Sequence, residues 1–162
     1  MAQVQIVMGS PNDLEFIKAA GVGAILDAAG ITYGVTVCSA HRNLPELETF
    51  AKQALADGTL VFIGVAGMAA ALPGALAGLT GMVVPIVAVP LDEHGVDSCI
   101  YMPPGVPVLT AGVGKPGLKN AAVAAAQIIA VGDAKVATAL KAHIASSTKK
   151  PQYDLSLTEA AS

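Results

Sequence analysis

Three side chains with different chemistry stand within four consecutive residues: Ser39, His41 and Arg42. They follow residues 32–37, a run typical of a β-strand, and most of the surrounding chain is apolar. A guanidinium can clamp a phosphate or carboxylate, a hydroxyl can add a hydrogen bond, and an imidazole can move a proton near neutral pH. The alternative is a helix start in which Ser39 is the cap and His41 and Arg42 are solvated. These residue types favour an anion site beside a proton-transfer group.

A second polar turn lies near the N-terminus, after the buried strand that the sequence predicts for residues 4–8. Gly9 permits a close approach of the backbone to a ligand. Ser10 and Asp13 offer a hydroxyl and a carboxylate where the first N–H groups of the next helix are free. Asp13 also fits a structural role in the first turn of that helix. The turn is therefore a second candidate for ligand contact.

The elements that must position these residues alternate along the chain. Apolar runs predict five strands, at residues 4–8, 32–37, 60–66, 83–89 and 108–113. Apolar residues at helical spacing predict helices at 14–29, 44–56, 118–131 and 134–144, with a short alanine-rich helix beginning within 67–74. Strands that are apolar on both faces and alternate with helices predict an α/β fold in which a parallel sheet lies between two helix layers.

Parallel strands end at the same edge of a sheet, so the loops after the first three predicted strands should converge. These loops contain the two polar turns and the apolar turn that begins at Gly67. Ligands of open α/β sheets bind at this edge. The sequence therefore predicts one site, built from Ser10, Asp13, Ser39, His41, Arg42 and the turn at Gly67.

Residues 91–107 form a long connection that the sequence predicts to be irregular. Long loops in compact domains are usually functional. The prolines in residues 102–107, MPPGVP, favour an extended wall against a ligand or a neighbouring subunit. His94 lies beside two acidic residues and can act as a base, whereas the simpler interpretation is a surface histidine in a mobile loop.

The composition bounds the class of protein. A length of 162 residues fits one domain with a substantial core. Charged residues make up 13% of the chain and hydrophobic residues 54%, whereas a typical globular protein has about 25% charged residues. So little charge leaves apolar surface for further copies of the chain to cover, which predicts a homo-oligomer. A net charge of -3 without a basic cluster argues against a nucleic-acid groove.

Other features bear on the cellular compartment. Residues 60–91 contain no charged residue and are long enough to span a bilayer, but glycine and proline divide them into strand-length and short-helix pieces. No positively charged leader precedes the first strand, which argues against a signal peptide. The two cysteines, Cys38 and Cys99, have neither the number nor the spacing of a disulfide framework or a zinc site. We therefore expect a cytoplasmic protein with free thiols and no membrane contact.

Five motifs occur in an order that is typical of one family. They are residues 8–13 (MGSPND), 39–42 (SAHR), 66–74 (AGMAAALPG), 95–98 (GVDS) and 102–107 (MPPGVP). In these motifs the chain resembles the PurE family, the carboxyaminoimidazole ribonucleotide mutases of purine biosynthesis, and the resemblance covers roughly residues 3–129. The PurE-like domain is predicted to span residues 1–145, followed by a loosely ordered tail at 146–162.

The resemblance implies a flavodoxin-like, three-layer α/β/α domain with five parallel strands. It implies an octamer whose sites are completed by neighbouring subunits, and an isomerase that interconverts carboxyaminoimidazole ribonucleotide and 4-carboxy-5-aminoimidazole ribonucleotide. No metal or organic cofactor is expected. His41 is then the proton-transfer residue. The residues expected to contact the substrate are Gly9, Ser10, Asp13, Ser39, Arg42, Gly67, Met68 and Met102.

Two positions depart from the family pattern. Asn12 stands where the family usually has serine, and Ala71 stands where the mutases usually have histidine, in the pattern Gly-Gly-Ala-Ala-His-Leu-Pro-Gly. The related carboxylases, which use aminoimidazole ribonucleotide and free carbon dioxide, also lack that histidine, but they usually have lysine in place of Arg42. A direct carboxylase, which is a lyase, and a noncatalytic nucleotide-binding homologue are therefore the alternatives. Arg42 and residues 102–107 favour the mutase.

Overall fold

Strands and helices alternate through residues 1–151, the part of the chain that the computed structural model describes. The strands are β1 (Val4–Met8), β2 (Tyr33–Val37), β3 (Val61–Ala66), β4 (Ile86–Pro90) and β5 (Leu109–Thr110). The helices are α1 (Asp13–Ala20), α2 (Val22–Ala28), α3 (Leu44–Ala56), α4 (Leu72–Leu79), α5 (Val96–Ile100), α6 (Gly114–Ala130) and α7 (Ala134–Ser147). A 3₁₀-helix at Glu93–Gly95 directly precedes α5.

The five strands form one parallel sheet in the order β2-β1-β3-β4-β5. β1 pairs on both sides, so that Ile6 lies opposite Val35 of β2 and opposite Ile63 of β3. The chain thus adds β2 on one side of β1 and all later strands on the other. This is the flavodoxin-like order, in which ligands bind where the strand order reverses. The predicted α/β fold with five parallel strands is confirmed.

Helices cover both faces of the sheet because successive strand residues point to opposite faces. In β3, Val61, Ile63 and Val65 belong to the core beneath α1, α2, α6 and α7, whereas Phe62 and Ala66 belong to the core beneath α3, α4 and α5. All six residues of β3 are buried. Burial on both faces explains its unbroken apolar sequence and gives the three-layer architecture.

The prediction of a single helix at 14–29 is wrong, because the structure divides that segment into α1 and α2. Gly21 between them has φ = 71°, a left-handed conformation that residues with a Cβ atom rarely adopt. Its N–H donates to the Lys18 carbonyl at 2.9 Å and ends α1. Both helices pack on the same core, so the apolar spacing continues through the break and conceals it.

The chain after β4 also differs from the prediction. The segment 91–107 is not irregular throughout, because it contains the 3₁₀-helix and α5. β5 has 2 residues instead of the predicted run 108–113, since Gly112 (φ = 118°) and Gly114 (φ = 58°) turn the chain away from β4. α6 begins at Gly114 rather than at residue 118. Pro116 fits there because the first helical turn needs no N–H donor from it.

The end of the described chain is helical. Asp133 is the N-cap of α7, and its carboxylate accepts hydrogen bonds from the N–H groups of Lys135 (2.9 Å) and Val136 (3.2 Å). α7 continues past the predicted domain limit at residue 145 as far as Ser147. Residues 152–162, most of the predicted tail, lie outside the described residues. Among the residues described, no helix combines the length and the apolar character needed to cross a membrane.

Candidate functional site

A cavity of about 410 Å³ lies at the carboxyl ends of β1, β2 and β3. Because β1 lies between β2 and β3 in the sheet, the loops that follow these three strands are neighbours in space. The cavity therefore occupies the point of strand-order reversal where this fold class binds ligands. Its lining residues are Gly9, Ser10, Asp13, Ser39, Ala40, His41, Arg42, Ala66, Gly67, Met68, Ala69 and Leu72.

The structure brings most of the predicted site residues together around this cavity. Those that line it are Gly9, Ser10, Asp13, Ser39, His41, Arg42, Gly67 and Met68. Met102 does not line it. The Met102 side chain lies against α4, where a Cβ atom added to Gly74 would stand 3.2 Å from Met102 Cε.

Two walls of the cavity differ in chemistry. We call Ser10, Asp13, Ser39, His41 and Arg42, from the loops after β1 and β2, the polar wall. We call Ala66, Gly67, Met68, Ala69 and Leu72, from the end of β3 to the start of α4, the apolar wall. Sequence reasoning did not name Ala40, Ala66, Ala69 and Leu72 as site residues, because apolar side chains carry no chemical signature. Their only signal was membership of, or adjacency to, the motifs at residues 39–42 and 66–74.

The loop after β1 places a buried carboxylate in the polar wall. Asp13 is the first residue of α1, and its Oδ2 accepts a hydrogen bond from the Ser10 N–H at 3.0 Å. Ser10 Oγ accepts one from the Asn12 N–H at 3.3 Å. Burial raises the pKa of the Asp13 carboxyl above its ordinary value, while N–H groups of Ser10 and Gly9 partly oppose this rise. Asp13 thus stabilises the turn and presents a carboxylate to the cavity.

The loop after β2 is held by its backbone. The Cys38 N–H donates to the Met8 carbonyl at 2.9 Å, which continues the pairing of β1 with β2. The carbonyl of Ser39, a buried residue, accepts a hydrogen bond from the Asn43 N–H at 2.8 Å. His41 follows as an exposed side chain. The backbone of this loop is therefore fixed while the imidazole stays accessible to a ligand.

Arg42 connects the two loops of the polar wall. Its Nη2 donates to the Gly9 carbonyl at 3.2 Å. A guanidinium carries five N–H donors, so this bond orients the group and leaves other donors for an anion. Such a planar, permanently charged group suits phosphate or carboxylate. The first loop thus orients the guanidinium and leaves donors that are able to bind an anion.

The apolar wall contains a disfavoured backbone conformation. Met68 has φ = 55°, in the left-handed region that residues other than glycine seldom adopt. Its N–H donates to Asp92 Oδ2 at 2.9 Å, and Asp92 Oδ1 accepts from the His94 N–H at 3.0 Å. Asp92 was not among the predicted site residues. Its partner Met68 is 24 residues away, and no local pattern in the sequence marks such a pair.

The two cysteines take no part in this chemistry. Both are buried free thiols. Burial raises the pKa of Cys99 to about 11, and burial together with the negative charge of Glu46 raises the pKa of Cys38. Neither sulfur is therefore an activated nucleophile near neutral pH. Among the described residues, no group of three or more His, Cys, Asp or Glu side chains is arranged to hold a metal ion.

Comparisons with known proteins agree with the fold and show the family of the chain. The chain matches the model of the AIR carboxylase family over residues 3–150. A relative from Methanocaldococcus jannaschii, named N5-carboxyaminoimidazole ribonucleotide mutase, is 41% identical over 140 residues, which cover 83% of this chain and 83% of the relative. A relative of the same name from Haemophilus influenzae is 42% identical over 147 residues, 87% of each chain.

A solved structure gives the same result. The crystal structure of Treponema denticola PurE superposes with a TM-score of 0.77 at 28% sequence identity, over 88% of this chain and 89% of that chain. The family model, which covers residues 3–150, includes both helix layers and all three loops of the cavity. This chain therefore belongs to the AIR carboxylase family.

Proposed function

We propose that this protein is an isomerase of purine biosynthesis, a mutase that interconverts N5-carboxyaminoimidazole ribonucleotide and 4-carboxy-5-aminoimidazole ribonucleotide. One observation carries the proposal: a polar wall with an arginine and a histidine and an apolar wall line the same cavity. The chain that builds this cavity is 41% and 42% identical to relatives named as that mutase. The substrate is accordingly a small ribonucleotide.

The polar wall is assigned to the ribose and the phosphate. Arg42, oriented by the Gly9 carbonyl, binds the phosphate through its remaining N–H donors. Ser10 and Ser39 add hydroxyl groups, and Gly9 allows the backbone to approach the ligand closely. Asp13 accepts hydrogen bonds from the ribose hydroxyls, since an ionised carboxylate is a pure acceptor. These contacts fix the ribonucleotide and leave its base toward the apolar wall.

His41 is assigned to proton transfer. In the forward direction the bond between the exocyclic nitrogen and the carboxyl carbon breaks, carbon dioxide is released, and that nitrogen gains a proton. The ring carbon then forms a bond to the carbon dioxide and loses its own proton. One proton is given and one is taken, so a single imidazole can serve as acid and then as base. Among the described residues that line the cavity, His41 is the only histidine.

The apolar wall is assigned to the released carbon dioxide. Gly67, Met68 and Ala69 offer few polar groups to hold water beside the reacting base. A water-poor surface keeps the carbon dioxide from escaping or being hydrated before it is recaptured. Met102 joins a cavity in a neighbouring copy of the chain. Its neighbours Ile100 and Tyr101 are 55% and 79% exposed, so this segment is accessible to another subunit.

Assembly and compartment belong to the same proposal. We assign a homo-octamer, in agreement with large apolar side chains that are strongly exposed in the single chain, among them Val83 at 75% and Val131 at 91%. We assign the cytoplasm, where buried free thiols such as Cys38 and Cys99 stay reduced. We assign the catalytic domain to the chain up to the end of α7 at Ser147, slightly past the predicted limit at residue 145.

Two alternatives compete with the mutase. A direct carboxylase is disfavoured by Arg42, which stands where those enzymes usually have lysine. A noncatalytic nucleotide-binding protein is favoured by Ala71, the residue directly before α4, because its methyl group cannot carry a proton where the mutases usually have histidine. The mutase therefore requires His41 to act without a second histidine in the cavity.

The experiment that separates these functions is a two-substrate assay of the purified protein. One reaction contains carboxyaminoimidazole ribonucleotide, and the other contains aminoimidazole ribonucleotide with bicarbonate. Conversion of the first alone supports the mutase, whereas conversion of the second supports the carboxylase. Turnover of neither, with ribonucleotide binding retained in calorimetry, would overturn both enzymatic functions.

A further inference from the structure

Asp92 links the loop after β4 to the apolar wall. Its Oδ2 accepts a hydrogen bond from the Met68 N–H at 2.9 Å, and its Oδ1 accepts one from the His94 N–H at 3.0 Å. Both donors are backbone groups, so the two bonds fix the course of the chain rather than the direction of a side chain. One carboxylate therefore sets the relative position of two loops.

Met68 has a disfavoured backbone conformation that a hydrogen-bond partner can stabilise. Its φ of 55° is disfavoured for a residue with a Cβ atom. Met68 is 69% exposed in the single chain, so packing within the chain does little to hold the residue in place. The backbone bond to Asp92 is the contact that can offset the strain. Ionised acceptors make stronger hydrogen bonds than neutral ones.

The loops after β3 and β4 are tightly packed against each other around Asp92. A Cβ atom added to Gly67 would stand 3.0 Å from Asp92 Oδ2. A Cβ atom added to Gly95 would stand 2.9 Å from Ala70 Cβ and 3.0 Å from the Met68 carbonyl oxygen. The Met68 N–H, followed by smaller contributions from other backbone N–H groups, holds the pKa of Asp92 below its ordinary value. The carboxylate is therefore ionised throughout the neutral range.

We infer that Asp92 is a positioning residue, which ties the Met68 amide and so holds Gly67, Met68 and Ala69 at the distance from His41 that carboxylate transfer requires. Asp92 does not line the cavity, and it acts through the backbone of the apolar wall. The inference rests on the proposed function, since the wall that it positions is the one assigned to carbon dioxide. Ribose and phosphate contacts, which belong to the polar wall, do not depend on it.

Two substitutions of different severity test this role. Asp92→Ala removes both acceptors, and Asp92→Asn keeps the size of the side chain but leaves only one acceptor oxygen for two N–H donors. The matched control is Glu93→Gln, which removes the adjacent, exposed negative charge without touching either bond. The full-length variants are compared with the wild type in kcat and KM for carboxyaminoimidazole ribonucleotide. Hydrogen exchange at the Met68 amide is followed by mass spectrometry with residue-level fragmentation.

We expect kcat of Asp92→Ala to fall about 10- to 100-fold, the range for a misplaced reaction site, with KM nearly unchanged. Asp92→Asn should show a smaller loss, Glu93→Gln none, and Met68 exchange should accelerate in both Asp92 variants only. An unchanged kcat in Asp92→Ala, or an equal loss in Glu93→Gln, would overturn the inference. If the wild type itself shows no turnover, the proposed function fails instead. Unchanged protection of Met68 in the Asp92 variants would then still refute the positioning role.

Discussion

The polar wall and the apolar wall of the cavity are built in different ways. Most hydrogen bonds of the side chains in the polar wall join residues close in sequence, such as the bond from the Ser10 N–H to Asp13, three residues apart. The apolar wall is shaped by the loop after β4, through the Asp92 carboxylate and the close approach of Gly95. The comparison shows that the groups able to do chemistry come from short sequence motifs, whereas the surface that they face depends on distant loops.

Arg42 makes a long-range side-chain contact within the polar wall, in addition to the backbone bond from Cys38 to Met8 that holds the second loop. Its bond to Gly9 spans 33 residues, because β1 and β2 are neighbours in the sheet but are separated by α1 and α2 in sequence. The comparison predicts that changes in the polar wall act on chemistry or affinity. Substitutions in the loop after β4, which supports the apolar wall, should first change the conformation and stability of that wall.

The largest effect is expected from His41→Asn. Because the imidazole is assigned to both proton transfers, turnover should fall about 10²- to 10⁴-fold, while the affinity for the ribonucleotide is retained. Steady-state kinetics and calorimetric binding measure the two quantities. The control is His94→Asn, since the His94 side chain is exposed and does not line the cavity. Unchanged turnover in His41→Asn, or a comparable loss in His94→Asn, would move the proton-transfer role away from the polar wall.

A smaller loss, of affinity rather than rate, is expected from Arg42→Ala. Hydrogen bonds to charged groups contribute about 1.5–3 kcal/mol, so KM should rise about 10- to 100-fold with kcat much less affected. The KM of Arg42→Lys should lie between those of the wild type and of Arg42→Ala, because lysine keeps the positive charge but lacks the planar guanidinium. Kinetics that show a loss in kcat alone would contradict the assignment of Arg42 to the phosphate.

Gly95→Ala tests the support of the apolar wall. The new Cβ atom would stand 2.9 Å from Ala70 Cβ and 3.2 Å from Pro90 Cβ. Overpacking of this kind costs about 1–3 kcal/mol, so the urea midpoint should fall. Gly132→Ala is the control, because no atom lies within 4 Å of its added Cβ. Equal midpoints for the two variants would show that the loop after β4 has room to move.

The smallest expected effect concerns the pH dependence of stability, which should have opposite signs for the carboxylates of Asp13 and Asp92. Burial raises the pKa of Asp13 above its ordinary value of 3.8. Between pH 3.8 and the raised pKa, the carboxyl is therefore more protonated in the folded protein than in the unfolded chain. The Asp13 contribution to stability therefore falls as pH rises from 3.8 through the folded pKa. Asp13→Asn should gain stability relative to the wild type over that interval and keep the gain at neutral pH.

Asp92 should behave in the opposite way. Its pKa is lowered, first by the Met68 N–H, so its contribution is fully present above 3.8 and is lost as pH falls through the folded pKa. Asp92→Asn should therefore be less stable than the wild type at neutral pH, and the difference should shrink in acid. Urea unfolding at neutral pH and near the ordinary carboxyl pKa measures both trends. A gain of stability in Asp92→Asn at neutral pH would contradict the bond to Met68.

Much of the fold and the polar wall could be predicted from sequence. The buried strand β1 and the helix α3 match the predicted residues, because an unbroken apolar run and a proline in the first helical turn are local signals. The break at Gly21 could not be predicted, since the apolar spacing runs through it. The short length of β5 could not be predicted either, because the apolar pattern gives no information on the positive φ of Gly112.

By itself, the sequence determined the residue types that face the cavity and the alternation of strands and helices that brings Ser10, Ser39 and Arg42 to one edge. It did so because parallel strands carry the loops that follow them to the same side. The tertiary structure alone decided that Met102 lies outside its own cavity and that Asp92 holds Met68 in a left-handed conformation. Both results depend on contacts between segments far apart in the chain, which form only when the sheet and both helix layers are packed.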